Sequence, residues 1–274
     1  MQISRALATS GLVPFEAKLL LAHAIKRDRA WLAAHPGDAL TAEQARDFAA
    51  LARRRRDGEP VAYLTGRREF YGVDLEITAA VLIPRPETEL LVDLALTRIP
   101  VDRGVDVLDL GTGCGAVALA IADRRRNARV VATDLSTDAL ALARRNAARL
   151  SLDNVSFVAG DWFGSLAGRR FDLIAGNPPY VAADDPHLLE GDLRHEPAQA
   201  LVSGGDGLDA IRAIVAAAPA HLAPDGWLLL EHGHDQPQAL AALLGDAGFD
   251  DIGAARDLAG ILRVSYGRIR SSDR

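Results

Sequence analysis

A doubly wound α/β domain behind a small helical one is the fold class this sequence predicts, on three observations. From residue 104 onward, short apolar runs alternate with helix-length segments, the pattern of a largely parallel sheet with helices on both faces. A glycine loop, Gly111-Thr112-Gly113-Cys114-Gly115, lies between the first such run and the helix after it. Residues 1–57 carry no strand-like run, and Leu19, Leu20, Ala22, His23 and Ile25 follow Pro14 at helix-compatible spacing.

Taken in order, the first domain spans residues 1–57. Thr41-Ala42-Glu43-Gln44 is a capping box opening a helix through Phe48 and Leu51, and Arg53-Arg54-Arg55-Arg56 closes it, where cations complement the helix dipole. The same four arginines are a candidate grip on an acidic partner or RNA. Over residues 58–84, Gly58-Glu59-Pro60 breaks the helix, and Gly66 and Gly72 separate short β-prone segments, which predicts a β-hairpin connector. Residues 85–274 form the expected catalytic domain. Pro84 and Pro86 stiffen the approach to its first helix, and Arg85, Glu87 and Thr88 either cap that helix or line a cleft. Strands are expected at 105–109, at 129–133 ending on Asp134, at 155–158 ending near Asp161-Trp162, at 171–175 and at 226–231, with two closing β segments. Residues 181–206 read as one long loop, a length that marks a binding segment or lid.

Composition bounds the function. The 274 residues are 49% hydrophobic and 25% charged, as in an ordinary soluble protein. No apolar run nears the roughly 20 residues of a membrane span, and the N-terminus lacks the apolar core of a signal peptide. Cys114 is the only cysteine, so no internal disulfide forms and a reducing cytoplasm is expected. A net charge of −6 argues against a protein built to hold bare nucleic acid. The charge is uneven: residues 1–80 carry 12 Lys and Arg against 10 Asp and Glu, and acidic residues dominate the rest.

The chemistry concentrates at Asn177-Pro178-Pro179-Tyr180, directly after the strand at 171–175. Asn177 precedes a proline and is pushed toward extended backbone. Neither proline has an N–H, so the turn offers carbonyl oxygens with few competing donors, and Asn177 adds a side-chain oxygen. Two acceptors and the Tyr180 ring suit a planar group bearing an NH2. Upstream, glycines between strand and helix let the backbone approach a ligand. The loop also satisfies the looser dinucleotide fingerprint, with Asp134 in the place of a ribose-binding carboxylate, so both NAD and S-adenosylmethionine fit this half. Asp109 beside the loop suits a cationic amino-acid group better than a pyrophosphate, Asp161-Trp162 suits an adenine, and the turn offers no proton donor or metal for hydride transfer. His232, His234 and Asp235, with His221 nearby, do not have the spacing of a zinc site.

Further motifs follow in order: the run from Glu59 to Phe70, Leu82-Ile83-Pro84-Arg85-Pro86-Glu87-Thr88-Glu89, the glycine loop from Asp109, Asn177 to Tyr180, His195-Glu196-Pro197, Gly205-Asp206-Gly207-Leu208, Gly226-Trp227-Leu228-Leu229-Leu230-Glu231 and Asp257-Leu258-Ala259-Gly260. Together they resemble the HemK/PrmC family, the glutamine N5-methyltransferases of peptide-chain release factors, over nearly the whole chain. The resemblance implies a class I S-adenosylmethionine-dependent methyltransferase fold, Rossmann-like, with a small N-terminal helical domain that recognises the substrate. It implies that Gly111, Thr112, Gly113, Cys114 and Gly115 hold the methionine part of S-adenosylmethionine, that Asp134 takes the ribose hydroxyls, that Trp162 packs near the adenine, and that Asn177 also borders the cofactor. Asn177, Pro178, Pro179 and Tyr180 would hold the glutamine of a Gly-Gly-Gln loop, with Asn177, Pro178 and Tyr180 serving the chemistry. The partners so implied are release factors, without nucleic acid or membrane, for a monomer in the cytoplasm. One departure is Ile261-Leu262 before Arg263, where the family places a polar residue and then Asp. Two other functions compete: a nucleic-acid adenine or guanine methyltransferase, disfavoured by the acidic catalytic half, and a ribosome-binding module with a vestigial fold, disfavoured by intact Asn177 and Asp134.

Overall fold

The computed structural model describes residues 1–270, which divide into two compact units. Residues 1–67 together with 186–195 form the first. Its helices are α1 (Ile3–Ala8), α2 (Pro14–Ile25), α3 (Arg29–Ala34), α4 (Ala42–Arg56) and α5 (Val61–Thr65). They close on a core of Ile3, Leu20, Leu21, Leu32, Phe48 and Leu64. Pro14 occupies the first turn of α2. The Thr41 hydroxyl accepts from Gln44 N at 3.1 Å, while Gln44 Oε1 accepts from Thr41 N at 3.0 Å, completing the capping box.

The arginine run at the end of α4 is mostly spent inside this unit. Arg54 pairs with Glu59. Arg55 donates to both oxygens of Glu16, at 3.0 and 2.9 Å, and to Asp192 at 2.8 Å. Arg56 donates to the Ser10 carbonyl at 2.6 Å. Three of the four expected gripping cations therefore hold helices and the 186–195 segment together.

The second unit takes residues 68–185 and 196 onward. Where a hairpin connector was expected, the chain makes α5 and then β1 (Arg67–Phe70) and β2 (Val73–Glu76), joined through Tyr71 and Gly72 at positive φ. A 3-10 turn, Pro86–Thr88, leads into α6 (Glu89–Arg98). There follow β3 (Asp106–Leu110), α7 (Ala116–Arg124), β4 (Arg129–Asp134), α8 (Thr137–Arg149), β5 (Val155–Ala159), β6 (Phe171–Gly176), α9 (Asp209–His221), β7 (Leu222–Glu231), α10 (Pro237–Asp246), β8 (Asp250–Arg256) and β9 (Leu262–Arg268).

The seven-stranded sheet runs β5-β4-β3-β6-β7-β9-β8. Its first five strands are parallel, and β9 is antiparallel to both β7 and β8. Central strands β3, β4 and β6 are buried along most of their length, consistent with their largely apolar sequences. The edge strand β8 is largely exposed and carries Asp250, Asp251 and Arg256, charges that discourage further pairing. Strand β7 begins four residues before the expected start at 226, because Leu222 pairs with Phe171 ahead of a register shift. Strand order reverses about β3, which makes the carboxyl ends of β3 and β6 the place where an open sheet forms a crevice.

Candidate active site

Leu110, the last residue of β3, pairs with Gly176, the last of β6. That register brings the glycine loop and the Asn177 turn, 66 positions apart in the chain, to neighbouring strand ends. Both face one cavity, whose lining includes Gly111, Thr112, Gly113, Cys114, Asp134, Trp162, Asn177 and Pro179. Gly111, Gly113 and Gly115 all have positive φ, but they serve different ends. A Cβ on Gly113 would meet nothing within 4 Å, so this glycine leaves its backbone open to a ligand. A Cβ on Gly115 would lie 2.9 Å from Leu119 Cδ1 and 3.3 Å from Ala143 Cβ, so Gly115 is there for packing and does not line the cavity.

Asp134 ends β4 and accepts from Gly113 N and Ser136 N, each at 2.8 Å. One carboxylate thus fixes the glycine loop and the start of the next turn, leaving its remaining lone pairs for a ligand. Burial raises its pKa, against backbone N–H groups that lower it. Asp109 sits deeper: its Oδ2 accepts from Thr112 Oγ1 at 2.6 Å and Ala118 N at 3.2 Å, and burial pushes it up to about 7. Cys114 is buried and its thiol is pushed up to about 12, which leaves it un-ionised and unreactive. Fully buried Asn146 of α8 donates to the Cys114 carbonyl at 2.9 Å and exchanges hydrogen bonds with the backbone of Glu76, N–H at 2.7 Å and C=O at 3.0 Å. The loop is therefore clamped from behind.

The four residues of the turn separate in role. Asn177 and Pro179 reach the cavity, while Pro178 is buried and Tyr180 does not line it. Tyr180 instead donates its hydroxyl to Glu231 Oε1 at 3.1 Å, and Gln236 Nε2 donates to the Tyr180 carbonyl at 3.0 Å. Of the three residues left open between capping and cleft, Thr88 is buried, lines the cavity and accepts from Asn177 Nδ2 at 3.2 Å. Arg85 pairs with Glu196 at 2.6 Å, which ties the 3-10 turn to the loop that brings Gln199 and Ala200 to the cavity. Glu87 is exposed.

An anionic site at the strand ends, a glycine cradle and an acceptor turn with no strong base describe a group-transfer site. The matches with known proteins decide which. Residues 1–66 match the PrmC N-terminal domain, and residues 88–208 match the methyltransferase small domain. The release factor glutamine methyltransferase of Xylella fastidiosa is 51% identical over 263 residues, 96% of either chain. That of Burkholderia pseudomallei is 50% identical over 270 residues, 96% of this chain and 94% of the other.

The chain belongs to the release factor glutamine methyltransferase family.

Its fold is shared more widely. A methyltransferase from Pyrococcus furiosus superposes with a TM-score of 0.56 at 19% identity, over 80% of this chain and 98% of that one. A Thermus thermophilus 16S rRNA N2 methyltransferase, solved with AdoMet and guanosine, gives 0.55 at 22% identity over 74% and 50%. Within the family member described here, Leu135, Val81 and Leu82 also line the cavity; Leu82 opens one of the quoted motifs without having been given a role, and Val81 and Leu135 did not stand out in the sequence. Leu135 had a usable signal, being a large apolar residue next to Asp134, and it is 70% exposed. The Ile261-Leu262 departure leaves its neighbourhood intact: Ile261 N donates to Asp257 Oδ1 at 2.9 Å and Arg263 Nε to Asp257 Oδ2 at 3.1 Å. His232 is buried with Nε2 2.9 Å from Ser265 Oγ, and His221 stacks on Phe163.

Proposed function

We propose that this protein transfers a methyl group from S-adenosylmethionine to the side-chain amide nitrogen of the glutamine in the Gly-Gly-Gln loop of peptide-chain release factors, acting as a cytoplasmic monomer. The observation that carries the reading is the meeting of Gly113, Asp134 and Asn177 around one cavity at the β3–β6 switch point.

The donor set fits S-adenosylmethionine. Asp109 suits a cationic amino-acid end, the open backbone at Gly113 accepts close approach, Asp134 suits a ribose diol, and Leu135 and Trp162 offer apolar cover for a base. When bound, that group supplies an electrophilic methyl on a sulfonium. The protein's task is to present the acceptor nitrogen, whose lone pair is delocalised into its own carbonyl. Asn177 Oδ1 and the Pro178 carbonyl take the two N–H bonds and favour the charge that develops on nitrogen. Orientation contributes much of the rest, on the order of 7–11 kcal/mol for well-placed reactants. No side chain at the turn is an ionised strong base, since Tyr180 is pushed far up by burial and by Glu231, so the proton leaves to water after transfer.

The deciding experiment is methyl transfer to purified release factor, duplex DNA and RNA, with the modified atom mapped by mass spectrometry. Methylation of the Gly-Gly-Gln glutamine is expected; methylated nucleic acid beside an untouched factor would overturn the assignment. Asn177→Ala should lower turnover by about 10²–10³ while cofactor affinity survives.

A further inference from the structure

A carboxamide has two ends of nearly equal shape, and Asn177 accepts from substrate in only one of its two orientations. In the orientation observed, Nδ2 donates to Thr88 Oγ1, which leaves Oδ1 for the cavity. Thr88 then serves as an acceptor, and its own proton must go to another group. Glu231, at the end of β7, is the group at hand. Its neighbour Leu230 pairs with Gly176, which places Glu231 laterally beside Asn177. Glu231 is 1% exposed, its Oε1 takes the Tyr180 hydroxyl, and its Oε2 has no formed hydrogen bond among the described residues. A buried carboxylate oxygen without a donor is costly, so its retention calls for a role.

We propose that Thr88 and Glu231 are positioning residues: ionised Glu231 draws the Thr88 hydroxyl proton to itself, so that Thr88 Oγ1 accepts only from Asn177 Nδ2 and Asn177 Oδ1 is held toward the substrate amide. This rests on the reading of Asn177 as the amide acceptor. The Thr88 hydroxyl lies near enough to act on the carboxylate as a donor, so a small shift of either side chain completes the missing bond. Burial pushes Glu231 up to about 7, against the Thr88 and Tyr180 hydroxyls and Arg263, with Glu87 acting the other way; Arg85 acts on the neighbouring Tyr180 hydroxyl. Protonation reverses the chain of donors. A neutral Glu231 donates to Thr88, Thr88 donates to Asn177 Oδ1, and the amide turns its NH2 against the substrate NH2.

The test compares Thr88→Val, Thr88→Ser, Glu231→Gln and Asn177→Ala in the full chain, with intact release factor as substrate. Thr88→Val keeps the shape of threonine without its hydroxyl and should lower kcat by about 10–100-fold, and Thr88→Ser should restore most of that loss. Glu231→Gln, which offers Thr88 a donor at every pH, should lower kcat similarly and lack the rise in kcat expected of the wild type as pH climbs through about 7. Cofactor affinity by calorimetry should stay within about twofold in all of these, separating positioning from damage to the cavity. Equal kcat for the Val and Ser variants, or an unchanged pH profile in Glu231→Gln, would overturn the positioning role. If the Gln variant does not fold, the Val–Ser contrast decides alone. Wild-type turnover in Asn177→Ala would remove the acceptor reading beneath it.

Discussion

Asp134 does two jobs with one carboxylate, holding Gly113 N and Ser136 N while remaining open to a ligand. Asp134→Ala should therefore weaken S-adenosylmethionine binding by roughly 1.5–3 kcal/mol, since charge-assisted bonds are lost on both sides; unchanged affinity by calorimetry would remove it from the site. Asp109 bears on stability. Its folded pKa, about 7, lies above the ordinary carboxylate range because it is buried. The folded chain thus keeps a proton that the unfolded chain has lost, so stability is greatest below that window and falls as pH rises through it toward 7. Glu231 acts in the same sense. The wild type should lose a few degrees of Tm between pH 5 and 8, and Asp109→Asn should lose less, at about 2–4 °C per kcal/mol. Parallel slopes would mean that Asp109 is ionised throughout. At this scale the sequence is readable where candidate site residues sit in a short run, as from Asp109 to Cys114. It is silent on the bond between Glu231 and Tyr180, which joins positions 51 apart and which no local pattern encodes.

Among the elements, α8 shows how a helix can serve a loop it does not adjoin. Its Asn146 spends its amide on the Cys114 carbonyl and on the backbone of Glu76, so the glycine loop, α8 and the end of β2 share one clamp. Asn146→Ala leaves these backbone groups unpaired in a dry setting. It should cost about 2–4 kcal/mol by urea denaturation and weaken cofactor binding besides. A loss below about 0.5 kcal/mol would mean that the helix can move to repair the gap. The capping box of α4 and the proline start of α2 were legible because each signal lies within a stretch of four residues. The arginine run was legible as a helix end, but its engagement with Glu16 and Asp192 was not, since those partners come from distant parts of the chain.

For the whole molecule, the first unit is the candidate holder of a second surface on the release factor, raising the effective concentration of the Gly-Gly-Gln loop. Because 186–195 belongs to that unit, the informative variant removes residues 1–67 and replaces 186–195 with a short Gly-Ser linker. It should methylate a Gly-Gly-Gln peptide far better, relative to wild type, than it methylates the intact factor. Equal relative activity on both would refute the recognition role. The α/β alternation foretold the parallel strands, whereas the inserted place of β9 has no local signal. That placement bears on biosynthesis. Strand β8 leaves the ribosome before β9, yet among the described residues β9 is its only sheet partner. Until β9 is in place between β7 and β8, β8 and the face of α10 lack the strand that covers them. For that interval the nascent chain carries an unpaired edge, the point at which a chaperone would have most to protect.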